Sequence, residues 1–173
     1  MMRAFYADAA SGRWLGVYTG GLETPPGAIA VPSGPDDGRQ VWNGTAWEWP
    51  VDIIRAEKIA AIERRFERAL EAGLAFGGKA LQIRPQDQIN LTTMGNEARW
   101  SVAANAPWPA GFAWRMADDS FLSVPDAATM IALAEAEKAE VYRLNQVKWQ
   151  HIDAVRALTE AGVIADYDIN AAW

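Results

Sequence analysis

The 173-residue chain has no cysteine and only one histidine, His151. The first absence excludes disulfides, thiolate metal sites and cysteine nucleophiles together. The second excludes a nitrogen-rich metal site, because the neighbours of His151, Gln150 and Ile152, supply neither a further ligand nor a nucleophile. His151 is read as a structural or surface residue. No apolar run approaches the ~20 residues of a membrane span, and the opening MMRAFYADAA lacks a signal-peptide core. The expectation is an intracellular start without membrane insertion. Long basic runs are also missing, and the net charge is −6. A nucleic-acid partner, whose phosphates require a Lys and Arg footprint, is not expected.

Signals for catalysis are equally sparse. Gly77-Gly78-Lys79 is followed by Ala80, and a strand comes after it, whereas a phosphate loop needs a preceding strand, a following helix and a Ser or Thr beside the lysine. Asp118 and Asp119 are adjacent, unlike the alternating carboxylates of a calcium loop, and a hairpin tip explains them. Ser11, Ser33, Ser101 and Ser120 lack a nucleophile-elbow context. No local pattern supports a glycosidase carboxylate pair. The sequence therefore yields no catalytic residue, no metal site and no cofactor.

What is present in excess is tryptophan, nine in all. Residues 1–50 read as a small antiparallel β unit: FYAD, RWLGVYTG, AIAVP, QVW and TAWEW, separated by Gly, Pro and Asp turns. Asn43-Gly44 predicts a type I′ hairpin flanked by Trp42 and Thr45. In that register Trp42, Thr45, Trp47 and Trp49 share one face. The indoles form either a mini-core, the reading preferred here, or an exposed platform for stacking on sugar rings. Trp14 and Tyr18 could join either.

Residues 51–173 read as a helical domain with an inserted hairpin, giving an α+β fold overall. Pro50 closes the β unit and Asp52 is placed to cap a helix whose buried stripe is Ile59, Ile62, Phe66, Ala69 and Leu70. Gly73 ends it, and FGGKALQI forms a glycine turn leading to one short strand. A second helix starts at Pro85, with Leu91, Met94, Ala98 and Val102 on one face, and breaks at APWP. A hairpin follows, in which Phe112, Trp114 and Met116 alternate with other residues, as do Phe121 and Ser123, around the tip Ala117 to Ser120. Asp126 then caps a helix running uninterrupted to Gly162 as its left-handed C′ residue, about 35 residues and about 52 Å. Its stripe is Met130, Leu133, Ala134, Val141, Leu144, Val147, Ile152, Val155 and Leu158. Glu137 and His151 interrupt the heptad series through Met130, Leu144 and Leu158, which favours packing within the domain over a coiled coil. The tail VIADYDINAAW ends on Trp173, expected to fold back on the helices or to meet a partner.

Several stretches together carry a resemblance: RAEKIAAIERRFERALEAGLAFGGKALQI, WRMADDSFLSV, DAATMIALAEAEKAEVYRL and the closing DINAAW. From about Arg55 to Trp173 they resemble the uncharacterised phage domain common in tail-fibre-associated and tail-fibre-assembly-like proteins. The segments SGRWLGVYTG, PPGAIAVP and RQVWNGTAWEW look like the short leader preceding that domain. The resemblance implies a bacteriophage virion or assembly protein, located in the tail or in the host cytoplasm during assembly. It implies protein–protein binding to tail or tail-fibre proteins, no catalytic residues and no cofactor. Copies in threes on a trimeric fibre, or another homo-oligomer, would fit. Thr129 departs from the acidic third residue usual at this helix start, which should weaken the cap slightly. The candidate binding residues are Trp42, Trp47, Trp49 and Trp173, for a tail protein or, in the alternative reading, a surface glycan involved in host recognition.

Overall fold

A computed structural model describes residues 3–19 and 23–173. Gly20, the end of the predicted RWLGVYTG strand, lies outside the described residues. The described residues form an α+β fold of small antiparallel sheets and four helices, the third of them long. Two compact units are distinguished, and they do not follow chain order. One comprises Met1–Lys58 with Val155–Tyr167, and the other Ile59–Ala154 with Asp168–Trp173.

The first unit holds a sheet of β1 (Arg3–Asp8), β2 (Trp14–Thr19) and β3 (Ala28–Val31), in the order β2-β1-β3. Strand alternation turns Ala7 and Val31 inward, where both are buried. A bulge between Tyr6 and Ala7 leaves Leu15 as the extra, exposed residue of β2. A second, two-stranded sheet joins β4 (Val41–Trp42) to β5 (Trp47–Glu48). Here the predicted turn is corrected. Trp42 lies opposite Trp47, so the loop has four residues, and only Gly44 of the Asn43-Gly44 pair takes positive φ, at 104°. The reason is the Asn43 carboxamide, whose oxygen accepts from Thr45 N, Thr45 Oγ1 and Ala46 N at 2.8, 2.9 and 2.8 Å. That local bonding stabilises a wider loop than a type I′ turn.

Helix α1 (Val51–Ala72) begins directly after Pro50, whose carbonyl accepts from Ile53 N and Ile54 N, each at 3.1 Å. Asp52 is thus a first-turn residue and not the cap, still at the end where the helix dipole favours a carboxylate. The long helix α3 (Ala127–Ala157) stops short of the predicted end, and α4 (Ala161–Asp166) follows it. Gly162 lies inside α4 and is not a C′ residue. Helix ends expose carbonyls that need donors, and in this unit the first turns of α1 supply them. Arg55 Nη2 donates to Leu158 O at 2.8 Å, and Lys58 Nζ donates to Ala165 O and Tyr167 O at 2.6 and 3.1 Å. The break also turns Ile164 inward, where it is fully buried.

The second unit contains the main core, built on Leu70, Leu81, Ile83, Leu91, Met116, Val124, Met130, Leu133 and Leu144. The segment after Gly73 forms two strands, not one: β6 (Leu74–Phe76), most of which precedes FGGKALQI, and β7 (Lys79–Leu81) pair across Gly77-Gly78. Both glycines take positive φ, 58° and 77°, which is what a two-residue hairpin turn demands. Helix α2 (Pro85–Ala104) buries Leu91, Gly95, Ala98 and Ser101. Val102 is exposed, correcting its assignment to the buried face. Ser101 takes that place because its hydroxyl donates to Ala106 O at 2.8 Å, closing the helix end.

The hairpin β8 (Ala113–Arg115) and β9 (Phe121–Ser123) pairs Trp114 with Leu122 and Arg115 with Phe121. Directly opposed residues share a face. Leu122 therefore packs inward with Trp114, and Phe121 is exposed. Lys79 Nζ ties this hairpin to the preceding one through Ser120 Oγ and Phe121 O, at 2.9 and 2.7 Å. At the start of α3, Asp126 Oδ1 accepts from both Thr129 N and Thr129 Oγ1, each at 2.7 Å. Thr129 thus reinforces the cap that its lack of a carboxylate was expected to weaken.

Candidate functional site

In the first unit the indoles gather, but in a different set from the predicted one. Trp47 stands at the centre, its ring edge-to-face with Trp42 at 5.5 Å and with Trp14 at 5.6 Å. Its Nε1 donates to Ser33 O at 2.9 Å, and Phe5 lies 6.3 Å from Trp14. Trp49 does not join them. The Arg39 guanidinium covers its ring at 4.7 Å, and Arg39 is held in turn by Asp37 at 3.0 Å. Tyr18 packs against Tyr6 at 5.4 Å. All four of these indoles are half-buried, partly core and partly surface.

Beside Trp42 and Trp47 lies a cavity of about 320 Å³, whose polar lining includes Ser33, Asp36, Gln40 and Thr45. Gln40 Oε1 accepts from Asp36 N and Asp37 N, at 3.0 and 3.2 Å, so the amide orders that wall. Indoles with polar groups around them can stack on and hydrogen-bond a hydroxylated ring.

Trp173 belongs to the second unit, where it is half-buried. Its ring stacks on His151 at 5.7 Å with planes 10° apart, meets Phe66 at 6.5 Å, and lies under the Arg65 guanidinium at 5.4 Å. Its Nε1 donates to Ile169 O at 2.7 Å, His151 Nε2 contacts Ala171 O at 3.0 Å, and Arg143 Nη1 donates to Ala172 O at 2.8 Å. The tail is docked through its backbone as well as its indole. His151 is buried beneath it.

The large exposed aromatics of this unit are Trp100, Phe121, Tyr142 and Trp149, of which the sequence reading placed only Phe121, in the hairpin pattern. Their signal is angular. Trp100 is two residues from Ala98, about 200° around the helix, and so opposite the buried stripe. A second missed feature is Glu137 on α3, only 4% exposed, beside a cavity of about 630 Å³ flanked by α2 residues Thr92 and Asn96. Its signal was an acidic residue at an apolar heptad position. Among the described residues no cluster of three or more His, Asp or Glu side chains could hold a metal ion, and no helix is long and apolar enough to cross a membrane.

The fold defines a small α+β protein whose surface features are indoles, exposed aromatics and a polar cavity. A family model described as a domain of unknown function (DUF4376) matches residues 53–171, and the chain belongs to that family. No curated protein and no solved structure matches it.

Proposed function

We propose that the protein acts by binding another protein, as a structural subunit or assembly factor of a bacteriophage tail or tail fibre. The resemblance of its helical segments and Trp-rich leader to tail-fibre-associated proteins supports the setting. One observation supports the mode of action: Trp100, Tyr142 and Trp149 of the second unit are 62%, 64% and 49% exposed. Large aromatics left in water are the residues that most often anchor protein interfaces. The test is co-expression with the fibre and neighbouring tail proteins of the same phage, followed by size exclusion with light scattering and mass spectrometry of purified virions. A stoichiometric complex that Trp100→Ala or Trp149→Ala weakens, with folding intact, is the expected result. Its presence in virions identifies a subunit, and its absence there an assembly factor. No complex with any tail protein overturns the proposal.

A second reading, glycan binding in host recognition, is favoured by the polar cavity beside Trp42 and Trp47. Glycan-array binding lost in Trp42→Ala while the fold survives would support it. Unfolding of that variant would assign the indole to the core.

A further inference from the structure

The cavity on α2 and α3 contains a feature that a solvated groove does not require. Glu137 is only 4% exposed, and no hydrogen bond or ion pair of its carboxylate is found among the described residues. The fully enclosed side-chain polar atom without a partner there is Arg55 Nε, so the Glu137 oxygens open onto the cavity they line. Burial without a partner disfavours the charged form and raises the carboxyl above its ordinary range. The surrounding groups do not cure this. The nearby cation Arg99 is engaged by Asn96 Oδ1 at 3.2 Å and by Glu135. Lys138, the next residue on α3, is exposed.

Two of the amides lining the cavity, Gln88 and Asn145, have each committed one N–H, while the oxygen of the third, Asn96, is taken by Arg99. Gln88 Nε2 donates to Ile83 O at 2.8 Å, and Asn145 Nδ2 donates to Val141 O at 2.9 Å. What Gln88 and Asn145 retain is the carbonyl oxygen, an acceptor, and one N–H each. The Thr92 hydroxyl accepts as well as donates, and exposed Tyr142 offers an aromatic face among the lining residues. A buried carboxylate, carbonyl acceptors on the walls and an aromatic ring suit a positively charged ligand that carries donors. The volume, about 630 Å³, is that of a small-molecule site.

We propose that this cavity binds an organic cation, an ammonium or guanidinium group, with Glu137 as its counter-ion. The group could arrive on a free small molecule or on a basic side chain of a partner protein, and the proposal does not depend on a phage role. The test uses the full chain with two probes, putrescine for a free diamine and N-acetyl-arginine amide for a protein side chain. Titration calorimetry should detect saturable binding of at least one probe. Glu137→Gln should weaken that binding by about tenfold or more, the loss of one charge-assisted contact, whereas Glu97→Gln, at an exposed position of α2 outside the cavity lining, should not. In the unaltered chain, the carbon-13 carboxyl resonance of Glu137 should titrate at lower pH once the probe is bound, since a nearby cation favours the carboxylate. Preference for one probe distinguishes the two sources. Absence of binding by both, or unchanged binding by Glu137→Gln together with an unmoved Glu137 resonance, overturns the proposal.

Discussion

A methyl group added at Gly95 would place its carbon 2.7 Å from Ala134 Cβ, where α2 crosses α3 within the helical unit. Glycine to alanine inside a helix ordinarily gains about 0.5–1 kcal/mol. Overpacking costs about 1–3 kcal/mol and acts against it. Gly95→Ala should therefore destabilise, by about 1 kcal/mol in urea unfolding, and a more stable variant would mean that the helices separate without strain. Two carboxylates give opposite pH signatures. Thr129 N–H and hydroxyl hold Asp126 below its ordinary 3.8, so its stabilisation is present above that value and disappears as pH falls through the lowered one. Glu137 is raised above 4.5 by burial, so the native state is favoured below 4.5 and loses that advantage as pH rises through the raised value. Its charged neighbours, Arg99 with Glu135 and exposed Lys138, leave the carboxylate without a direct partner. In ligand-free protein, Glu137→Gln should be more stable than the parent at pH 7, with the difference vanishing below about pH 4. Equal stability at both pH values would show the carboxylate to be solvated.

The docked C-terminal tail is the element most open to test. Trp173 rests on His151, Phe66 and Arg65, and two backbone carbonyls of the tail, those of Ala171 and Ala172, meet His151 and Arg143. Trp173→Ala should cost about 2 kcal/mol, below the range for a fully buried tryptophan because the indole is half-buried, and should speed amide exchange in the tail. Unchanged exchange would mean that the backbone contacts suffice alone. The short helix α4 depends on Lys58, whose ammonium donates to Ala165 O within it and to Tyr167 O just beyond its end. Lys58→Met should increase proteolytic cleavage within 158–167 and leave most of α1 protected. Elements were legible in the sequence where periodicity ran long: Leu91 to Ala98 and Met130 to Val155 lie on the faces predicted for them. They were misread where a side chain rebuilt the backbone locally, as Asn43 does in widening its loop and as Ser101 does in displacing Val102 from the buried face.

The division of the chain into units has its own consequence. Residues 1–50 lack Val155–Tyr167, which belongs to the same compact unit. Expressed alone they should give a poorly dispersed proton spectrum, whereas a dispersed spectrum would show that the β strands suffice. The candidate site follows the same division between near and distant information. By itself, the sequence determined the α+β class, the long third helix, the Asp126 cap and the excess of tryptophan, because each depends on residue type and on spacing within a few turns. Only the tertiary structure decided that Trp14 takes the place of Trp49 beside Trp42 and Trp47, that Trp173 is enclosed by His151, and that Glu137 lies unpaired beside a cavity. Those outcomes depend on strand register, on where α3 breaks and on how closely α2 approaches it, all set by contacts between residues far apart in the chain.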